Sequence, residues 1–155
     1  METPAVYERL ERAVAVLNAE DRYLLEKDLS ERCIAARLAM YLQPLFPDHS
    51  VDVEYNRAGD TPKRLDLPAD CANYRDDDGR SLVVPDIIVH NRGAEGPNLL
   101  VVELKKTTNP EGPECDRRRI AAFVGQLGYQ CGALVVCETR QGHRPIAALT
   151  EHCES

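Results

Sequence analysis

The stretch that decides the fold is V83-V-P-D-I-I-V-H-N-R-G-A-E-G-P-N-L-L-V-V-E-L-K-K106, two apolar runs joined by a turn-rich segment. "SLVVPDIIVH" and "NLLVVELKK" are rich in Val, Ile and Leu, which reads as two strands central to a sheet, buried on both faces. Each carries charge where burial is expected: Asp86 in the first, Glu103 and Lys105 at the end of the second. A carboxylate taken from water without a partner costs several kcal/mol, so these acids need an explanation.

Working outward, "VDVEYNR" alternates Val51, Val53 and Tyr55 against Asp52, Glu54 and Asn56, the period of a half-buried strand. Upstream, Ile34, Ala35, Leu38, Tyr41, Leu42 and Leu45 form one helical stripe, with the Asp28-x-x-Glu31 capping-box spacing before it and Pro44 closing it. Val6, Leu10, Val14 and Leu17 mark an earlier helix, and "AEDRYLLEKD" a short second one. Residues 58 to 81 show no sustained period. Downstream, Asp116 is placed to cap a helix with Ile120, Phe123, Val124 and Leu127 on one face, ended by Gly128. "CGALVVCE" is a further buried strand, and the tail beyond Gly142 is short and weakly patterned.

The expected fold is α/β: a helix, three strands, a helix and a strand, forming a central mixed four-stranded sheet flanked by helices. Turns join strands that pair antiparallel, whereas the strand–helix–strand unit requires a parallel crossover. One domain spans residues 1–155, with its core at about 28–140 and an N-terminal helical extension at 4–27. A chain this long buries roughly 70% of its unfolded surface, so no metal or disulfide staple is required.

The formal net charge is −7. That argues against a module held on nucleic acid by its overall field, so any phosphate-binding surface must be local or come from a partner. No apolar stretch approaches a membrane span, and the acidic N-terminus does not resemble a signal peptide; the expectation is a soluble, cytoplasmic protein with no membrane contact. The six cysteines contain no C-x-x-C pair, and reduced thiols filling apolar space are expected.

Three arrangements reconcile Asp86 and Glu103 with burial. They pair with arginines, cap strand ends at the surface, or share a divalent cation. Glu103 and Lys105 have the same strand parity and so project to one face, where an ion pair with each other or with a neighbour is one solution. It leaves Asp86 unexplained. A hard cation such as Mg²⁺ takes one or two carboxylates, with water and phosphate filling its remaining positions, and accounts for both acids.

Pro85-Asp86, seventeen residues before Glu103-Leu104-Lys105, resembles the signature of the PD-(D/E)xK nuclease superfamily, and the element order is similar to that restriction-endonuclease-like core. The resemblance implies Mg²⁺- or Mn²⁺-dependent cleavage of phosphodiester bonds by a hydrolase, with DNA the expected substrate. Asp86 and Glu103 would ligate the metal with the Leu104 carbonyl, and Lys105 would stabilise developing charge. Glu31 lies in the middle of its helical stripe and occupies the position of a further metal-ligating glutamate in several branches of the superfamily. It is equally read as the acid of a capping box. His90, Lys63 with Arg64, and Arg117 are candidate substrate contacts, each also explained by an ordinary surface or strand-end role. A homodimer, or a partner protein supplying nucleic-acid affinity, is compatible with the charge. The competing reading, from a different class, is a catalytically silent module of the same fold that acts by interaction.

Overall fold

The computed structural model describes residues 1–55, 64–71, 81–93 and 97–154. Three helices come first: α1 (Thr3–Glu20), α2 (Arg22–Glu26) and α3 (Glu31–Leu42), the last running into a 3₁₀ turn at Gln43–Leu45. Then follow β1 (Ser50–Val53), β2 (Arg64–Leu65), β3 (Ser81–Leu82), β4 (Ile87–His90), β5 (Asn98–Lys106), α4 (Glu114–Leu127), β6 (Tyr129–Glu138) and β7 (Ile146–Glu154).

The principal sheet is mixed and has five strands, in the order β1-β4-β5-β6-β7, not the four expected. β1, β4 and β5 pair antiparallel, β5 and β6 pair parallel across α4, and β7 returns antiparallel on β6. The added strand is the weakly patterned tail. Among its described side chains, Ala147 and Leu149 meet the apolar core.

Side chains divide the sheet into two faces. Ile87, Val89, Leu100, Val102 and Leu104 pack on one, against the apolar stripes of α1 and α3. Ile88, Val101 and Leu134 pack on the other, against Ile120 and Phe123 of α4. Strand parity therefore sends Glu103 and Lys105 to the α4 face with Val101. Asp86 precedes β4 with the parity of Ile88, and the register Ile88↔Val101, Ile87↔Val102 brings it opposite Glu103.

Several local expectations are corrected. "SLVVPDIIVH" is not one strand: Ser81–Leu82 pairs with β2 in a separate ribbon, and residues 83 to 86 cross to β4. The cap of α3 is Ser30, whose hydroxyl accepts the Cys33 N–H at 3.1 Å, so Glu31 is the first helical residue and not the third of a box starting at Asp28. Asp28 instead turns the chain with φ 53° and accepts from Lys106 Nζ at 3.0 Å. At α4 the cap is Pro113, and Asp116 lies buried within the first turn. Gly128 does end the helix, in the left-handed conformation that suits glycine (φ 70°). Tyr55 leaves the side of Val51 and Val53 because Glu54 has φ 54°, and it packs toward the α4 face against the His90 ring.

The cysteine reading is also corrected. Cys71 and Cys115 form a disulfide, tying the 3₁₀ turn at Ala69–Cys71 to the first turn of α4. Cys131 and Cys137 are buried and outside any disulfide, as expected of apolar filling, and Cys33, partly exposed, is outside any disulfide too. Among the described residues no helix is long and apolar enough to cross a membrane.

Candidate metal and phosphate site

A cavity of about 410 Å³ opens on the α4 face at the C-terminal end of β5. Its floor is Glu103, Leu104 and Lys105; Asp86 and Val83–Val84 form one side, Asp116 and Arg119 of α4 another, and Glu31 and Asn109 close the far end. The sequence thus brings Asp86, Glu103, Leu104, Lys105 and Glu31 to one cavity. Among the described residues, acids outnumber bases there five to two (Glu31, Asp86, Glu103, Glu111 and Asp116 against Lys105 and Arg119), so a polyanion meets a repulsive wall unless cations are present.

Asp86 accepts the Leu104 N–H at 2.8 Å, which fixes its carboxyl across the end of the β4–β5 ladder. Glu103 is only 3% exposed. Burial, the nearby Asp86 charge and a hydrogen bond to Asp86 hold its carboxyl well above the usual range. Asp86 is also raised, chiefly by burial, although the hydrogen bonds from Glu103 and from the Leu104 amide oppose the shift. The two carboxyls behave as a pair sharing a proton, with Glu103 the donor. Glu103 Oε1 has no hydrogen-bond partner, and the Arg119 Nε approaches it no closer than 4.0 Å.

Lys105 does not pair with Glu103. Its ammonium lies 3.0 Å from Asp116 Oδ2, and Asp116 Oδ1 accepts from Arg119. Asp116 is the residue that sequence reasoning missed. An acid in a first helical turn reads as a cap or dipole partner, and only the fold reveals that the turn is pressed onto β5. The available signal was its position four residues before Ile120, on the buried stripe.

Glu31 reaches the cavity from α3. Its Oε2 accepts the Lys106 N–H at 2.7 Å, and Asn109 Nδ2 lies 3.3 Å from both of its oxygens. Among the described residues, no group of three or more His, Cys, Asp or Glu side chains is placed to hold one ion. An ion here would draw on two carboxylates and on oxygens of other kinds.

Of the remaining candidates, His90 and Arg117 do not line the cavity. His90 is buried and meets Asp52 Oδ2 through Nε2 at 2.8 Å, in a cluster with Arg92, whose guanidinium, followed by His90, holds Asp52 below the usual carboxylate range. Arg117 is exposed and lies 3.5 Å from Glu114 Oε2. Lys63 lies outside the described residues. Glu54 meets Arg32 at 3.1 Å at the surface.

Comparison with protein-family models, with curated proteins and with solved structures returns no match for the chain.

Proposed function

We propose that the chain is a divalent-metal-dependent nuclease that hydrolyses phosphodiester bonds of DNA, with Asp86, Glu103 and Lys105 as its catalytic set. The observation that carries this reading is the Asp86–Glu103 pair: two carboxyls side by side in a cavity, no base bonded to Asp86 among the described residues, and one buried oxygen, Glu103 Oε1, without a hydrogen-bond partner. An all-oxygen donor set suits a hard cation, Mg²⁺ or Mn²⁺, held by Asp86 and Glu103 with the Leu104 carbonyl as a further donor. When bound, such an ion supplies Lewis acidity toward a phosphate and a more acidic water.

The chain's own residues do the rest. Asp86 and Glu103 place negative charge where the cation must sit, and the Leu104 amide keeps Asp86 in position. Lys105, one strand repeat beyond Glu103, or about 6 to 7 Å, offers its ammonium to the charge that develops on the phosphate. Arg119 lines the same wall and adds a second positive group to a phosphate oxygen.

The test is cleavage of supercoiled plasmid, linear duplex, single-stranded DNA and RNA in Mg²⁺ or Mn²⁺. Wild type is expected to cut at least one DNA substrate, and Asp86→Ala, Glu103→Gln and Lys105→Ala to lose about 100-fold or more in rate. Wild type leaving every substrate intact in both ions contradicts the reading. One observation favours a second, a catalytically silent interaction module: the Lys105 ammonium is already engaged by Asp116. Cation binding without cleavage, together with a stable protein partner, is the outcome that selects it.

A further inference from the structure

Lys105, Asp116, Arg119 and Glu103 form a chain of charges that leaves β5 and returns to it. The Lys105 ammonium is held at 3.0 Å by Asp116 Oδ2; Oδ1 takes Arg119, one helical turn on; and Arg119 Nε comes back to Glu103 at 4.0 Å. Asp116 is 2% exposed and Lys105 8%. We propose that Asp116 is a positioning residue: it holds the Lys105 ammonium against the α4 wall and aims Arg119 at Glu103, without itself ligating the cation. The use made of those two bases rests on the nuclease reading, but the anchoring does not.

Asp116 differs from Asp86 and Glu103 in what faces it. Each of its oxygens already addresses a cationic side chain, whereas Glu103 Oε1 addresses none within hydrogen-bonding reach. The three acids are not grouped to hold one ion. Nor is the arrangement explained by stability alone, because a buried ion pair is often no better than well-packed apolar groups of the same volume. The contact with Lys105 is at ion-pair distance but off the hydrogen-bonding direction, leaving Oδ2 without a formed hydrogen bond. A charge held in that way is retained in place yet able to swing toward an anion in the cavity. The other charged groups facing Lys105 across the cavity are Asp86, Glu103, Glu31 from α3 and Glu111 from the segment before α4.

The experiment compares wild type, Asp116→Asn and Asp116→Glu by three readings: acetylation rate of Lys105 by an N-hydroxysuccinimide ester, Mn²⁺ affinity by calorimetry, and steady-state cleavage. Losing the charge-assisted anchor in Asp116→Asn is expected to speed Lys105 acetylation about tenfold, with Asp116→Glu near wild type. Mn²⁺ Kd stays within about threefold, while kcat falls about 10- to 100-fold at little-changed KM. Unchanged acetylation in Asp116→Asn overturns the anchoring; an affinity loss beyond about 100-fold, more than the change of an outer partner costs, makes Asp116 a ligand and overturns the positioning role. If wild type cuts no nucleic acid, the nuclease reading falls while labelling and Mn²⁺ affinity still decide the role of Asp116. Should Asp116→Asn fail to fold, Asp116→Ser takes its place in the same readings.

Discussion

Glu103 and Asp86 lie side by side and hydrogen-bonded, and burial of the two carboxyls makes their contribution to stability depend on pH. Both folded-state values are raised, and Glu103 the more strongly. A raised acid favours the folded state while protonated, so this contribution is complete below the unfolded value near 4.5 and is lost as pH climbs through the folded value. Stability conferred by the pair therefore falls as pH rises from about 4.5 through the raised folded-state value. Glu103→Gln removes the ionisable group from its buried site, and the variant is expected to melt higher than wild type at pH 7 and to show a flatter dependence of Tm on pH. A Glu103→Gln profile that runs parallel to wild type from pH 5 to 8 contradicts the pairing.

The Cys71–Cys115 disulfide closes a loop of 44 residues and joins the cavity rim to α4. Chain entropy alone gives such a link about 4 kcal/mol, within the usual range of about 2 to 5. Peptide mapping without reductant should recover residues 71 and 115 in one linked species. Cys71→Ser, Cys115→Ser and the double variant should lose the same stability, because each removes the same single bond. Recovering both thiols free after purification under air excludes the link. Such bonds persist in oxidising surroundings, so the redox state of the isolated protein bears directly on where it works.

Gly132 leaves room on the sheet for the Ile120 and Val124 side chains of α4. A Cβ built there would lie 2.5 Å from Ile120 Cγ2, on a strand whose backbone is held from the other side by the Tyr7 hydroxyl, which donates to the Gly132 carbonyl at 3.1 Å. With support on both faces the strand cannot retreat. Gly132→Ala is expected to cost about 1 to 3 kcal/mol by overpacking, and Ile120→Val introduced beside it to recover part of that loss. A Tm equal to wild type for Gly132→Ala removes the argument for this contact.

Ser30 caps α3 directly before Glu31, whose carboxylate reaches the Lys106 amide. Ser30→Ala should lower stability by about 1 kcal/mol, and Ser30→Asp should restore it, since either side chain can accept from the Cys33 N–H. The comparison is read from urea unfolding midpoints at constant m. Equal midpoints for Ser30→Ala and wild type contradict the cap.

How far the sequence carries depends on whether a feature is written locally. The stripes Val6–Leu17 and Ile34–Leu42 and the β5–α4–β6 crossover follow from period alone, and the structure has them. So does the common direction of Glu103 and Lys105, because parity within one strand is a local fact. The strand Ile146–Glu154 was not legible: it borrows its hydrogen bonds from β6, and its sequence supplies little apolar alternation. Pairing of Cys71 with Cys115 is set by where two distant segments meet, which no spacing rule encodes. The partner of Lys105 was hidden for the same reason. Within β5, Glu103 was the obvious choice, and Asp116 wins because α4 lays its first turn across the strand end.

The central claim is that Asp86 and Glu103 form one cation site, and the most direct measurement of it is a calorimetric titration with Mn²⁺ of wild type and Asp86→Ala at pH 7. Wild type is expected to bind Mn²⁺ with release of a proton from the pair, and Asp86→Ala to bind at least about tenfold more weakly with no such release. Equal affinities and equal proton release in the two proteins would contradict it.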